Sequence, residues 1–297
     1  MKNKKPQLNS IVLMSDAHNF DINEAINPYY IASEVSTTRA EREHQQLQDL
    51  LIEEGVNVIQ VPSPMGCQDG VYVANWALVR GDKAVIANLP NARKNEEIYA
   101  EKILSDLGKE IINIPDNLRF SGQGDALACG DLLFCGQGYR SDEKAQEIAA
   151  EALGYQRIQL KTVPLLDQNH KITSNQLTGW EDSYFYDIDL ALAIIKIPTD
   201  TKRGLIAYCR EAFTPESQAK LENLKGFDKI LVDIQEAKNG FATNLISTGR
   251  TVIMSANAPK LTRNLRHHGL KVHTLPLNEI SKGGGFIRCV ALTLDDL

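Results

Sequence analysis

Near its C-terminus the chain reads Gly283-Gly284-Gly285-Phe286-Ile287-Arg288-Cys289-Val290-Ala291-Leu292-Thr293-Leu294. Three successive glycines permit positive φ and let the backbone approach a ligand closely. The apolar run that follows, residues 286–294, predicts a strand. Cys289 then sits within a few residues of a flexible turn. A nucleophilic thiol needs that access, together with a positive neighbourhood to lower its pKa. Arg288 is adjacent, but alternate strand residues face opposite ways, so the pattern does not aim its charge at the thiol. Taken alone, the stretch suits a buried strand cysteine equally well.

Working outward, apolar periodicity alternates between strand and helix. Strands are predicted at 11–14, 56–61, 71–79, 83–88, 111–114, 132–135, 157–161, 184–196, 204–209, 229–234, 251–255 and 271–274. Helices are predicted at 34–54, 95–107, 141–153, 215–224 and 259–268, with Ser141 as an N-cap, Pro215 at a first helical position, and Gly154 and Gly269 as stops. The five helices recur at roughly 40–70-residue intervals, which suggests a structural repeat without sequence similarity between its copies. No linker or low-complexity tract divides the chain, so residues 1–297 are expected to form one α/β domain. From rhythm alone, a doubly wound parallel sheet competes.

The 297 residues are 43% apolar, enough for a substantial core without disulfides or metal. With 38 acidic against 32 basic residues the net charge is −6, which disfavours a nucleic-acid partner. The basic start, Met1–Pro6, is followed by an apolar run of only four residues, 11–14, too short for a signal core or a membrane span. Five cysteines with no Cys-x-x-Cys spacing argue against a disulfide framework or a zinc knuckle. A reduced, cytoplasmic protein with no membrane partner, metal or cofactor is the expectation; oligomeric state is not readable.

Three more clusters carry polar chemistry. Asp69 and Asn75 bracket the predicted strand 71–79, so they should flank its ends without sharing a contact. Gly122-Gln123-Gly124-Asp125, followed by Arg140, suits a tight turn with polar ends on a hairpin; it lacks the spacing and following helix of a dinucleotide fingerprint. Asp187 and Asp189, at i and i+2 of a predicted strand, should share a face and couple, raising one pKa.

In order and spacing these clusters, with the loop 20–28, Ala242-Thr243-Asn244 and the C-terminal glycines, resemble the amidinotransferase/dimethylargininase superfamily, the penteins, over nearly the whole chain. The resemblance implies a five-bladed α/β propeller of ββαβ units. It also implies a thiolate attack by Cys289 on the carbon of a guanidino or ureido small molecule such as arginine. By position, Asp187 and Asp189 join Cys289 in catalysis. Asp69, Asn75, Asp125 and Asn244 hold the substrate, Arg93 and Arg140 take its carboxylate, and Asn27 lies in the loop that covers the site.

Two positions depart from the family pattern. The general acid/base histidine, two residues before the equivalent of Asp189, is Asp187, and the carboxylate before Gly-x-Gly-Asp is Ser121. His18, in a predicted loop, is not assigned to replace them. The expectation is a hydrolase of C–N bonds in linear amidines, or an amidinotransferase. The alternative is a catalytically impaired relative that binds an arginine-like ligand or a protein partner.

Overall fold

The computed structural model describes residues 8–30 and 34–295; the basic start Met1–Pro6 lies outside the described residues. The first unit has β1 (Ile11–Ser15), α1 (Thr37–Glu53) and β2 (Asn57–Val61). The second has β3 (Ala77–Arg80), β4 (Lys83–Ile86), α2 (Lys94–Asp106) and β5 (Glu110–Ile112). The third has β6 (Ala126–Cys129), β7 (Leu132–Gln137), α3 (Glu143–Leu153) and β8 (Gln156–Lys161). The fourth has β9 (Leu192–Lys196), β10 (Gly204–Tyr208), α4 (Pro215–Glu222) and β11 (Phe227–Leu231). After α5 (Ile234–Gly240), the fifth has β12 (Ile246–Ser247), β13 (Thr251–Ser255), α6 (Pro259–His267) and β14 (Lys271–Leu275), and the chain then adds β15 (Leu292–Thr293).

Each sheet has three strands in one pattern: an inner strand runs antiparallel to the middle one, which pairs parallel with the outer one across a helix. In the first blade the inner strand is β15, which pairs antiparallel with β1 (Val12 with Thr293, Leu13 with Leu292). The C-terminal segment thereby closes the ring. The inner strands face one another: β6 lies against β9, and β9 against β12. This is the five-bladed α/β propeller of ββαβ units, not a doubly wound sheet.

The helices form because each offers one apolar stripe to its sheet. In α1 the buried positions include Ala40, Leu47 and Leu51, and in α3 Ala145, Ala149 and Leu153, spacings that follow the helical period. Gly154 ends α3 at φ +69°. Ser141 does not cap this helix; Asp142 holds that position, and the Ser141 hydroxyl accepts from the Ser121 N–H.

Three strand predictions need correction. Residues 71–79, 184–196 and 286–294 each comprise a buried turn followed by a shorter inner strand: β3, β9 and β15. Strands β6 and β12 and helix α5 were absent from the sequence expectation. The cause is common to all the inner strands. They and the turns before them surround the axis, so both are buried and apolar periodicity does not mark the boundary. All five cysteines are free and buried, and no helix among the described residues is long and apolar enough to cross a membrane.

Closure of the ring is fastened by Asp295, whose carboxylate accepts from the Ser10 N–H (2.9 Å), the Ser10 hydroxyl (2.7 Å) and the Ile11 N–H (2.7 Å). Asp295→Ala removes all three hydrogen bonds at this seam. It should lower unfolding free energy by about 1–3 kcal/mol in urea titration; an unchanged midpoint would show that the seam is held by strand pairing alone.

Candidate active site

Each inner strand is preceded by a buried turn, and the polar clusters lie on those turns. Asn75 ends the 3-10 turn Val73–Asn75 before β3. Gly122–Gly124 and then Asp125 precede β6. Asp189 lies in the turn Ile188–Leu190 before β9, with Asp187 at its N-cap. Asn244 precedes β12, and Cys289 lies in the turn before β15. Because inner strands run alike around the axis, all five turns meet at one end of the propeller.

Cys289 is 2% exposed. Its sulfur accepts a hydrogen bond from Asn244 Nδ2 at 3.1 Å, and its thiol donates to Asp189 Oδ2 at 3.5 Å. Asn244 Oδ1 accepts from the N–H groups of Arg288 (2.9 Å) and Cys289 (3.3 Å), so one buried amide fixes both backbone and sulfur. Burial, and then the charge of Asp189, push the thiol well above its usual range; the Phe286 N–H and Asn244 pull the other way. The glycines before it do what their sequence suggested. Gly284 has φ +85°, and a Cβ there would collide with the Asn27 amide.

Asp69 and Asn75 do not flank a strand. Both line the same small pocket as Cys289, and Arg93 joins them by donating to Asn75 Oδ1 (2.9 Å) and to the Asp69 carbonyl (3.2 Å). Asn75 Nδ2 donates to Asp187 Oδ2 at 2.8 Å and to the Ser121 hydroxyl at 2.9 Å. This approach requires glycine at 124, where a Cβ would stand 2.6 Å from Asp187 Oδ2. Asp125 Oδ1 accepts from the Ile188 N–H at 3.0 Å, which ties the third turn to the fourth.

Asp125, Asp187 and Asp189 are each at most 2% exposed, and each keeps one oxygen without a hydrogen-bond partner. Burial raises the pKa of all three, and the charge of Asp187 adds to the rise at both Asp125 and Asp189. The coupling expected for Asp187 and Asp189 therefore extends to a third carboxylate. Burial also lifts Asp69 to about 6, against the pull of Arg93. A cation is the natural complement of such a cluster, since it lets these groups ionise without bulk water.

Glu96 has no counterpart in the sequence expectations. Fully buried, it receives Arg93 through Nε (2.8 Å) and Nη2 (2.6 Å), and also Trp76 Nε1 (3.0 Å). In sequence it reads as an ordinary acidic residue in the first turn of a helix, so only its depth reveals it. Tyr30 was also missed; its hydroxyl donates to Asp69 Oδ1 at 2.6 Å. Asn27 Nδ2 donates to the Gly283 carbonyl (2.9 Å), and Arg140 donates to the Ile26 carbonyl (2.9 Å) while lying over the Tyr186 ring. With the 20–30 loop seated in this way the pocket is only about 10 Å³. His18 lies outside it, exposed and paired with Glu41.

The sequence profile of the family described as N,N dimethylarginine dimethylhydrolase, eukaryotic, matches residues 12–179. The chain is 29% identical over 280 residues to the N(G),N(G)-dimethylarginine dimethylaminohydrolase of Mycobacterium tuberculosis, covering 93% of this chain and 82% of that one. It is 26% identical over 289 residues to the bifunctional arginine dihydrolase/ornithine cyclodeaminase AgrE of Nostoc sp., covering 96% of this chain but only 38% of the relative's length. Among solved structures, the product-bound N-terminal domain of ArgZ, an arginine dihydrolase from the ornithine–ammonia cycle in cyanobacteria, superposes with a TM-score of 0.82 at 26% identity, covering 96% and 97% of the two chains. A form of that domain covalently bonded to a reaction intermediate superposes equally well, at 0.82 and 26% identity over 96% and 98% of the chains.

Because Arg93 and Glu96 lie together out of water, removing one strands the other. Glu96→Ala should cost about 3–5 kcal/mol of unfolding free energy, and Glu96→Gln less because its amide oxygen still accepts from Arg93. Denaturant titration of both variants checks this; equal stability of Glu96→Ala and wild type would mean that Arg93 finds water.

Proposed function

The chain belongs to the dimethylargininase, arginine dihydrolase and arginine deiminase superfamily of guanidino-modifying penteins, and from that premise we propose that it binds an arginine-like guanidino or ureido compound and attacks its central carbon with Cys289. The observation that supports this most is the sulfur between Asn244 and Asp189 at the point where the five turns meet. In this reading the thiolate forms a C–S bond to the guanidino carbon, and ammonia or an amine leaves with a proton. Water then attacks the carbon of the S-alkyl isothiouronium and releases the sulfur as thiolate; an amine in place of water would make the enzyme a transferase.

The cation would be received by Asp69, Asn75, Asp125 and Asp189, displacing the Tyr30 hydroxyl from Asp69. Every nitrogen of Arg93 already donates within the protein. The substrate carboxylate therefore falls to Arg140, whose guanidinium donates to the Ile26 carbonyl of the covering loop. Bidentate capture there would compete directly with loop contact. Asp187 is assigned the acid–base role that a histidine holds in the family. Its raised pKa keeps a proton available for the leaving nitrogen, and Asn75 and Ser121 orient it.

A second reading, ligand binding without turnover, is favoured by the same replacement of histidine and carboxylate by Asp187 and Ser121 and by the high thiol pKa. The two separate in one experiment. Arginine, methylated arginines, citrulline and agmatine are incubated with wild type and Cys289→Ala, and ammonia or amine release is measured. Release by wild type alone is expected; equal background from both sinks the enzymatic reading. Asp187→His combined with Ser121→Glu should raise turnover, about 10²-fold or more if general acid catalysis is what limits it.

Binding carries its own pH signature. A guanidinium prefers ionised Asp69, so below the Asp69 pKa of about 6 each binding event must expel a proton. Calorimetric affinity for arginine should rise up to about tenfold per pH unit toward that value and then level, with net proton release near pH 5. Affinity independent of pH between 5 and 7 would remove Asp69 from the cation's contacts.

A further inference from the structure

Below Cys289, on the propeller axis, a second cavity of about 50 Å³ runs between the inner strands. Val79 of β3, Ala128 of β6, Ile194 of β9 and Thr293 of β15 line it, with Leu245 just ahead of β12. Asp189 and Arg288, which precede their strands, stand at the end nearest the active site, whereas Asn9, Tyr155 and Asp295 stand where the inner strands finish. The cavity therefore leads from the back of the active site toward the opposite face of the ring.

Asp189 belongs to both spaces. Its Oδ2 meets the Cys289 thiol at 3.5 Å, while its Oδ1 has no hydrogen-bond partner. Thr243, also lining the cavity and 1% exposed, has an unpartnered hydroxyl as well. Buried oxygens of this kind are nearly always satisfied, and this cavity, largely apolar but with Asp189, Thr243 and Arg288 along its wall, has several times the 10–15 Å³ or so that one water needs. Arg288 adds a positive charge, fixed by hydrogen bonds to Gln123 Oε1 (2.8 Å) and the Ala291 carbonyl. The charged groups facing Asp189 are thus Asp187 and Asp125 on the site side and Arg288 on the axis.

We propose that Cys289 exchanges its proton with solvent through this axial cavity and not through the substrate pocket. The thiol proton passes from Sγ to Asp189 Oδ2, and Asp189 gives up a proton to water in the cavity, leaving a thiolate and a carboxylate. The front pocket beneath the 20–30 loop, about 10 Å³, has less room for water. The relay supplies an exit for the proton in a chain that has no histidine at the family position. Its use in catalysis rests on the hydrolase reading above, whereas the proton path does not.

Two measurements on the intact protein test it, neither of which needs turnover. A high-resolution crystal structure should show water bridging Asp189 Oδ1 and Thr243 Oγ1; a dry cavity overturns the proposal. The second is carbamidomethylation of Cys289 by iodoacetamide, followed by peptide mass spectrometry across pH. Ala128→Leu fills the cavity from a strand position outside the site. It should slow modification of Cys289 at pH 7 by about fivefold or more and move the pH midpoint upward, because the thiolate and Asp189 lose their water. Cys209 modification and the melting temperature, both unchanged, would show that the fold is intact. Equal Cys289 rates and midpoints in wild type and Ala128→Leu overturn the relay. Should no substrate be turned over, the proposed hydrolase activity fails while both of these readouts still decide the proton path.

Discussion

The pairing of β15 with β1 is the contact on which the site depends. Only two residue pairs join these strands, yet they bring the last segment of the chain into the first blade and so hold Cys289 at the axis. Asp295 strengthens the seam by accepting three hydrogen bonds from residues 10 and 11. The same register places the Cys289 carbonyl to accept from the Ala74 N–H at 3.0 Å. Ring closure and the placement of Cys289 are therefore one event, and neither forms while the ends of the chain are apart.

Closure also explains why the polar groups come from equivalent places. An inner strand packed on both sides is mostly apolar, whereas the turn before it ends at a pocket where polar side chains can meet one another. Asn75, Asp125, Asp189, Asn244 and Cys289 occupy this location in the five successive blades. Their proximity follows from a repeated strand direction. Their separation in sequence, over 214 positions from Asn75 to Cys289, reflects one contribution per blade.

This division accounts for what was legible in the sequence. Outer strands and the five main helices show their periods because one face meets a core and the other faces outward, while the buried middle strands read as short apolar runs. The inner strands have no such contrast, so 71–79 and 184–196 read as long strands when each begins with a turn. The resemblance to penteins drew attention to Asp69, Asn75, Asp187 and Asp189, but their geometry was hidden, because a strand would have held Asp69 and Asn75 apart and the turn instead lets Arg93 bind both. Glu96 and Tyr30 were invisible for a different reason. Nothing in a helix's first turn or a loop tyrosine announces burial against a distant arginine or aspartate.

The electrostatics of the site follow from taking three arginines and at least five carboxylates out of water together. Glu96 neutralises Arg93 locally, and Arg288 faces Asp189, which leaves Asp69, Asp125 and Asp187 with Arg140 as the nearest uncommitted positive charge. Such a cluster resists full ionisation, and the direction of every shift within it is upward. A histidine at 187 would add a positive charge when protonated and relieve the cluster; an aspartate deepens it. The consequence is a site in which burial opposes charge on the thiol and on Asp69, Asp125, Asp187 and Asp189 alike. Under the proposed function, entry of a guanidinium would lower those pKa values, the thiol included, so the ligand itself would favour the thiolate that attacks it. That coupling would make a raised resting thiol pKa compatible with the proposed catalysis, and it would tie the reactivity of Cys289 to occupancy of the pocket.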